Sequence, residues 1–257
     1  VRKRKFDYTG VLSSVFAIVI GLLMGFLILL LCNAGQALPG FVTILTGAFT
    51  HGAKGVGQVF YYSTTIILTG LSVGFAFKTG LFNIGAGGQF IVGGFGAVYI
   101  GIMCENLGSV HWVVALLAGV CLGAIWGLVP GLLKAFFNVN EVIAAIMMNY
   151  IGMYGVNWFV KSYKPIFNNI RNESKPVLTT ANIPKMGLDK LFPESSINGG
   201  FIIALLTVIV VYIVLDKTAF GYELKAVGYN RNASRYAGIN EKRSIILSMV
   251  IAGAIAG

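Results

Sequence analysis

From Val11 to Cys32 the chain carries no charged side chain, and this run is the first of several. An apolar run of about 20 residues, coiled as an α-helix, matches a hydrocarbon core roughly 30 Å thick. Spanning helices are predicted at 10–32, 58–77, 86–103, 111–133, 141–160 and 199–215. A seventh starts at Ser244 and is still running at Gly257. Those last 14 residues would rise only about 21 Å. The sequence therefore predicts six complete spans, the start of a seventh, and a native protein longer than this chain. The expected fold class is all-α: a polytopic transmembrane helix bundle forming a single domain over 1–257.

Composition removes the alternatives. Charged residues are 11% of the 257 and hydrophobic residues 56%, against about 25% charged in soluble domains. That leaves too little polar surface to cover a soluble fold, and it excludes disorder. The net charge of +10 does not point to nucleic acid. The basic residues sit in short clusters between apolar runs, not on one continuous face. Membrane lipid is the expected surrounding. Arg2, Lys3, Arg4 and Lys5 followed by an apolar stretch resemble a signal peptide. The stretch is too long for an h-region and lacks a prompt small-residue cleavage site, so it reads as the first span. Cys32, Cys104 and Cys121 have no metal-ligand spacing and read as small packing residues.

Orientation follows from Lys and Arg. With the N-terminus in the cytoplasm, the inner segments hold 12 of them and the outer segments seven. The chain is therefore expected to be multi-pass in its membrane, with a cytoplasmic N-terminus. The 161–198 segment carries Pro165, Pro176, Pro184 and Pro193 and reads as an ordered extracytoplasmic loop or partner surface. Gly119, Gly123, Gly127 and Gly131 recur every fourth residue in the fourth span. They form a stripe where another helix can approach closely. Gly70 and Gly74 repeat the pattern in the second span.

Catalytic chemistry is missing. There is no P-loop, no H-E-x-x-H and no convincing Ser/His/Asp set. The expectation is a chain that is not an enzyme and holds no metal. His51 and His111 read as interfacial or loop residues near the outer surface. Asn138 reads as the N-cap of the fifth span with Glu141 three residues on, in preference to a proton relay through Glu141. Buried carboxylates are scarce, which counts mildly against proton- or sodium-driven transport.

Polar features inside the apolar pattern are more informative. The segment Lys78–Gln89 brings several glycines, Asn83 and Gln89 to membrane depth. It is either a simple turn or a discontinuous helix of the kind that builds transporter sites. Asn149 lies mid-span, either bonding to a neighbouring helix or lining a pathway. Tyr61, Tyr62, Ser63, Thr64, Thr65 and Thr69 make the second span unusually polar and favour an inward-facing helix.

The segment Thr218–Ile239 reads as two short helices. The first, about Tyr222 to Val227, stops at Gly228 as a C′ residue. Asn230 caps the second, about 231–237, which stops at Gly238. Such a pair is a docking knob for a soluble partner, or an amphipathic helix on the membrane surface.

Three motifs in order now match a known pattern. Thr218, Gly221, Ala226, Gly228, Asn230, Ala233, Gly238 and Ile239 resemble the coupling loop of bacterial ABC-transporter permeases of the simple-sugar and nucleoside importer family. Leu81–Gln89 is similar to that family's Phe-Asn-Ile-Gly-Ala-Glu-Gly-Gln signature. Glu141-Val142-Ile143 with Met147, Met148, Asn149 and Tyr150 resembles its Glu-Val-Ile…Met-Leu-Asn-Tyr segment. The nucleoside branch fits better than the ribose-like branch. Gly87 stands where the family commonly has Glu, so no role of that carboxylate is carried over; Ser234 stands where Ala is usual.

The resemblance implies about ten spans per subunit. It also implies an extracytoplasmic substrate-binding lipoprotein, a second permease subunit that is a related paralogue, and ATP-binding cassette subunits. ATP and Mg would sit on those subunits, with no cofactor on this chain. The 216–243 segment becomes a cytoplasmic coupling loop, with Gly221, Leu224, Ala226, Gly228, Asn230, Ala233, Gly238 and Ile239 as ATPase-coupling residues. Asn83, Gln89 and Asn149 become substrate-pathway residues. The alternatives are a simple-sugar permease of the same family, or a carrier or channel independent of an ATPase.

Overall fold

The computed structural model describes residues 8–257. The basic cluster Arg2, Lys3, Arg4 and Lys5 lies outside the described residues. The helices, in chain order, are α1 (Tyr8–Cys32), α2 (Ala34–Thr50), α3 (Gly52–Lys78), α4 (Ala86–Met103), α5 (His111–Phe137) and α6 (Glu141–Ser162). They continue with α7 (Leu188–Leu191), α8 (Gly200–Lys217), α9 (Ala219–Tyr229), α10 (Arg231–Tyr236) and α11 (Glu241–Ala256). Among the described residues six helices are long and apolar enough to cross a membrane: α1, α3, α4, α5 with the turn before it, α6 and α8. These match the six complete spans expected, and α11 falls where the seventh begins. The molecule is an all-α, multi-pass membrane protein.

Two compact units form. One holds the described residues up to Val59 together with Leu191–Ser195; the other holds Phe60–Lys190 and Ser196–Gly257. In the first, α1 packs on α2 through Phe26 and Phe41, whose ring centroids are 5.0 Å apart. The sequence reading left 33–57 without a helix, and α2 corrects it. Its run is diluted by Gln36, Pro39 and three threonines, so it fails the test for a 20-residue apolar span. It forms nonetheless because Asn33 caps it, accepting from the Gln36 amide at 3.3 Å. The hydroxyls of Thr43, Thr46 and Thr50 each donate to carbonyls of the same helix, at 2.9, 2.7 and 3.0 Å.

In the second unit the glycine stripe of α5 meets a matching stripe of α11: Met249, Gly253 and Gly257. A Cβ on Gly123 would lie 2.8 Å from Gly257 Cα, and one on Gly127 would lie 3.1 Å from Gly253 Cα. A Cβ on Gly119 would meet the Gly257 carbonyl at 2.8 Å, and one on Gly131 would meet Met249 Cβ at 3.1 Å. The two backbones therefore touch directly along most of α11, which glycine permits and larger residues forbid. Gly93 of α4 joins the same seam, with its Cβ position 2.9 Å from the Gly119 carbonyl.

One end of this unit is closed by residues 161–190 and 196–198. A short antiparallel pair, β1 (Phe167–Asn168) and β2 (Glu173–Ser174), places Phe167 opposite Ser174 and Asn168 opposite Glu173. Ile166 and Ile197, both within the segment, are almost fully buried. The Leu178 amide donates to the Gly101 carbonyl at 2.9 Å. His111 is not the interfacial or loop residue expected. It is completely buried, with Nδ1 2.8 Å from the Thr180 hydroxyl and Nε2 3.0 Å from the Ile100 carbonyl. Its position at the start of α5 tucks it between α4 and the closing segment.

At the other end, the α5–α6 connection corrects a second expectation. Asn138 does not cap α6. It ends α5 in the left-handed region, φ 50°, a conformation Asn tolerates better than most residues. Asn140 is the cap, accepting from the Val142 amide at 2.9 Å. Glu141 is then the first helical residue and pairs with Lys134 at 2.8 Å.

Candidate functional site

The segment between α3 and α4 is a true turn built to bury amides. Gly80 takes φ +71°. The Gly80 amide donates to the Phe77 carbonyl and the Leu81 amide to the Ala76 carbonyl, at 3.0 and 3.1 Å. This pair of bonds is a Schellman ending, with Leu81 buried against Ala76 as its apolar contact. Beyond it, Asn83 and Gln89 are almost fully buried and bond reciprocally. Asn83 Nδ2 donates to Gln89 Oε1 at 2.9 Å, and Gln89 Nε2 donates to Asn83 Oδ1 at 3.1 Å. Asn83 Nδ2 also reaches the Ser72 hydroxyl at 3.2 Å, and Ser72 donates to the Ala252 carbonyl at 2.7 Å. Thr79 donates to the Ser248 hydroxyl at 2.7 Å. This network ties α3, the turn and α4 to α11.

Asn149 works from a different helix. Its Oδ1 accepts from the Gly88 amide at 2.7 Å, and its Nδ2 donates to the Ile84 carbonyl at 3.0 Å. Gly88 is in the first turn of α4, where amides have no partner within the helix. The N-cap position, Gly85, offers no side chain. Asn149 therefore caps α4 from α6. A Cβ on Gly88 would sit 2.8 Å from Asn149 Oδ1, so glycine is needed for the approach. Gly87 has room, with Asn149 Oδ1 3.9 Å from its Cβ position.

The α8–α10 segment packs against this turn. Thr218 caps α9, accepting from the Gly221 amide at 3.1 Å and donating to the Val214 carbonyl at 2.5 Å. A Cβ on Gly221 would meet the Leu215 carbonyl at 2.5 Å, so glycine lets α9 fold back tightly on α8. Leu224 is fully buried with Phe75, Val211 and Leu215; Val227 is buried with Leu81, Ile245 and Met249. Asp216 and Lys225 form an ion pair across the bend.

Gly228 differs from its expected place. It does not stop α9 but lies inside it, since the helix runs on to Tyr229. Its reason for being glycine is contact: a Cβ there would strike the Lys78 carbonyl and lie 3.0 Å from the Gly80 amide nitrogen.

Asn230 joins the two helices. Its amide donates to the Ala226 carbonyl at 3.1 Å, ending α9, and its Oδ1 accepts from the Ala233 amide at 3.0 Å, starting α10. A second Schellman ending closes α10 at Gly238, φ +82°, through Gly238 to Arg235 at 3.1 Å and Ile239 to Ser234 at 3.0 Å. The eight named residues divide. Gly221, Leu224 and Gly228 contact the bundle. Ala226, Asn230, Ala233 and Ile239 line a groove between α9 and α10, and Gly238 does not border it but ends α10. Tyr222, Tyr229 and Tyr236 stand out from the same surface, the last two more than 90% exposed. Spacing in the sequence did not single out these tyrosines; their regular interval of seven residues was the available signal.

A separate cavity of about 350 Å³ lies among α3, α4, α5, α8 and α11. Thr64, Thr65, Thr69, Thr207 and Phe90 line it with aliphatic side chains. The threonines of α3 had marked that helix as inward-facing; Thr207 and Phe90 had not been singled out. Asn83, Gln89 and Asn149 do not border it.

Residues 55–257 match the family model described as branched-chain amino acid transport system / permease component. The guanosine ABC transporter permease protein NupP of Bacillus subtilis (strain 168) is 36% identical over 252 residues, 96% of this chain and 69% of that protein. The nucleoside ABC transporter permease protein NupB of Lactococcus lactis subsp. cremoris (strain MG1363) is 34% identical over 251 residues, 96% of this chain and 68% of that protein. The guanosine ABC transporter permease protein NupQ of Bacillus subtilis (strain 168) is 26% identical, over 76% of this chain and 62% of that protein. No solved structure matches the chain significantly. The membrane-spanning architecture, the family match over most of the chain and the extent of identity to NupP and NupB together place this chain in the family of branched-chain amino acid transport system permease components.

Proposed function

We propose that this chain is one transmembrane subunit of an ATP-driven importer that takes up nucleosides. The observation that carries the reading is the α9–α10 pair, clasped to the bundle on one face and open to a partner on the other. Permease relatives named for guanosine and nucleosides support the substrate class. Two guanosine permeases, NupP and NupQ, occur in one organism, which supports a second, paralogous permease as the other half of the path. ATP and Mg belong to cassette subunits that dock in the α9–α10 groove, so that end of the bundle and the N-terminus face the cytoplasm. Residues 161–198 then face outward, where a substrate-binding lipoprotein delivers the nucleoside.

Closure of the cassette dimer pushes on Ala226, Asn230 and Ala233. Gly221, Leu224 and Gly228 pass that displacement to α8 and to the α3–α4 turn. Asn83, Gln89 and Asn149 hold the turn and the start of α4 rigid, so the displacement is not absorbed locally. Their amides do this without the cost of buried charge.

The test is uptake of radiolabelled guanosine by cells with and without this chain, with ribose and leucine as controls. Loss of guanosine uptake alone, with co-purification of an ATPase, is the expected result. Gly228→Ala should reduce guanosine uptake at least tenfold while the protein still inserts. Loss of leucine or ribose uptake instead, or normal uptake by the inserted variant, would refute the substrate or the coupling reading respectively.

A further inference from the structure

Resting on that reading, we propose that Glu141 is a positioning residue for coupling. Its ion pair with Lys134 fixes α6 to the end of α5, so that movement of α10 reaches the start of α4 by a second route, through α6 and Asn149. The first route is the contact of Gly228 with the Lys78–Gly80 backbone.

The second route begins where α10 ends. Ile239 packs on the cluster that holds Leu81, Val227, Ile245 and Met249, and Ala135 of α5 packs on the same cluster. A little further on, Lys242 Nζ sits 5.1 Å from the centre of the Phe136 ring, a cation–π distance. Asn240 caps α11, accepting from the Arg243 amide at 3.1 Å. The Cβ position of Gly131 is 3.4 Å from Ile246 Cα, so the first turns of α11 rest on α5 as well. The chain leaving α10 is thus seated on the last turns of α5.

From there the displacement must cross to α6. Only residues 138–140 separate the two helices. Asn138 is held in the left-handed region, the Val139 amide donates to the Leu133 carbonyl at 3.2 Å, and Asn140 caps α6. This link sets how far apart the helix ends lie. The ion pair sets how α6 is rotated about its own axis. Lys134, in the same turn as Ala135 and Phe136, donates to Glu141 at 2.8 Å, with the two side chains only 13% and 17% exposed. Charges so little hydrated are weakly screened, and removing either leaves the other unpaired. A pair of this kind adds little stability over apolar packing; its effect here is to hold one geometry. Arg231, the first residue of α10, also attracts the Glu141 carboxylate.

Rotation is what α6 must not lose. Asn149 lies eight residues beyond Glu141, about 12 Å along the helix. Its amide holds the Gly88 amide at 2.7 Å and the Ile84 carbonyl at 3.0 Å. A turn of α6 about its axis carries that amide sideways and breaks both bonds. A shift of α6 as a rigid rod carries the start of α4 with it.

The experiment uses the full transporter, with its ATPase, second permease and binding protein, in proteoliposomes. Guanosine moved per ATP hydrolysed is read for each variant, together with the ATPase that co-purifies. Glu141→Gln should leave the ATPase bound and hydrolysing, while guanosine moved per ATP falls about fivefold, a loss on the scale of the interaction between paired residues. A residue that only stabilised the fold would lower the yield of complex and leave this ratio alone. Lys134→Gln added to Glu141→Gln should cause no further loss, since both act through one pair. An unchanged ratio in Glu141→Gln, or a second, multiplied loss in the double variant, would overturn the proposal while leaving nucleoside import standing. Wild-type transport of leucine or ribose in place of guanosine would instead remove the functional reading beneath it.

If Glu141→Gln does not assemble, Glu141→Asp decides. It keeps the charge but shortens the reach, so the ratio should fall, and Lys134→Arg in the same chain should restore it. No fall, or no restoration, overturns the role given to Glu141.

Discussion

Asn83 and Gln89 show how residue type can be legible while its job is not. Two amides at membrane depth signal something other than lipid-facing helix, and the sequence points to both. It does not reveal that they satisfy each other, because that depends on the Schellman turn bringing them together. The closed pair leads to a sharp prediction. Gln89→Leu leaves both ends of the Asn83 amide without their Gln89 partners and should cost about 1–3 kcal/mol. Replacing both residues by Leu should recover most of that loss, since two apolar groups demand no partners. Thermal unfolding in detergent reads the difference. Gly228 teaches a related lesson. A helix-ending glycine and a close-contact glycine look alike in sequence, and only the Lys78 carbonyl beside it separates them. Asn230, by contrast, was legible outright, because a cap acts on amides within three residues of itself.

At the scale of elements, periodicity carries what is local and loses what is distant. The four glycines of α5 announce a close helix contact, yet nothing in their spacing names α11 as the helix that fills it. Nor could apolar length reveal α2, which starts at the Asn33 cap, packs on α1 through Phe41 and Phe26, and satisfies its threonine hydroxyls within its own turns. The α5–α11 seam is tight enough to test by volume. Gly123→Val places branched carbons into the α11 backbone and should cost about 1–3 kcal/mol or prevent folding. Gly94→Ala, on α4 with nothing within 4 Å of the new carbon, is the control and should be neutral. Comparing the yields of monodisperse protein after detergent extraction separates the two.

Across the whole molecule, the order of spans and the long closing segment were readable from apolar length and proline content. The fastening of that segment was not. His111 and Thr180 are remote in sequence, and a lone histidine beside an apolar run looks like an interfacial residue. Thr180→Val leaves the buried His111 Nδ1 without its partner and should loosen the segment by about 1–3 kcal/mol. Hydrogen exchange should rise across 176–181 while α4 and α5 remain protected. At the opposite end, the contact between Gly228 and the Lys78–Gly80 backbone has a mechanical asymmetry. Atoms already at van der Waals distance resist compression steeply, because repulsion rises within tenths of an ångström. Under tension they resist only as far as dispersion and the burial of Leu224 and Val227 allow. The joint is therefore stiff in one direction and compliant in the other, and an inward stroke of α9 reaches α3 and α4 more faithfully than an outward one.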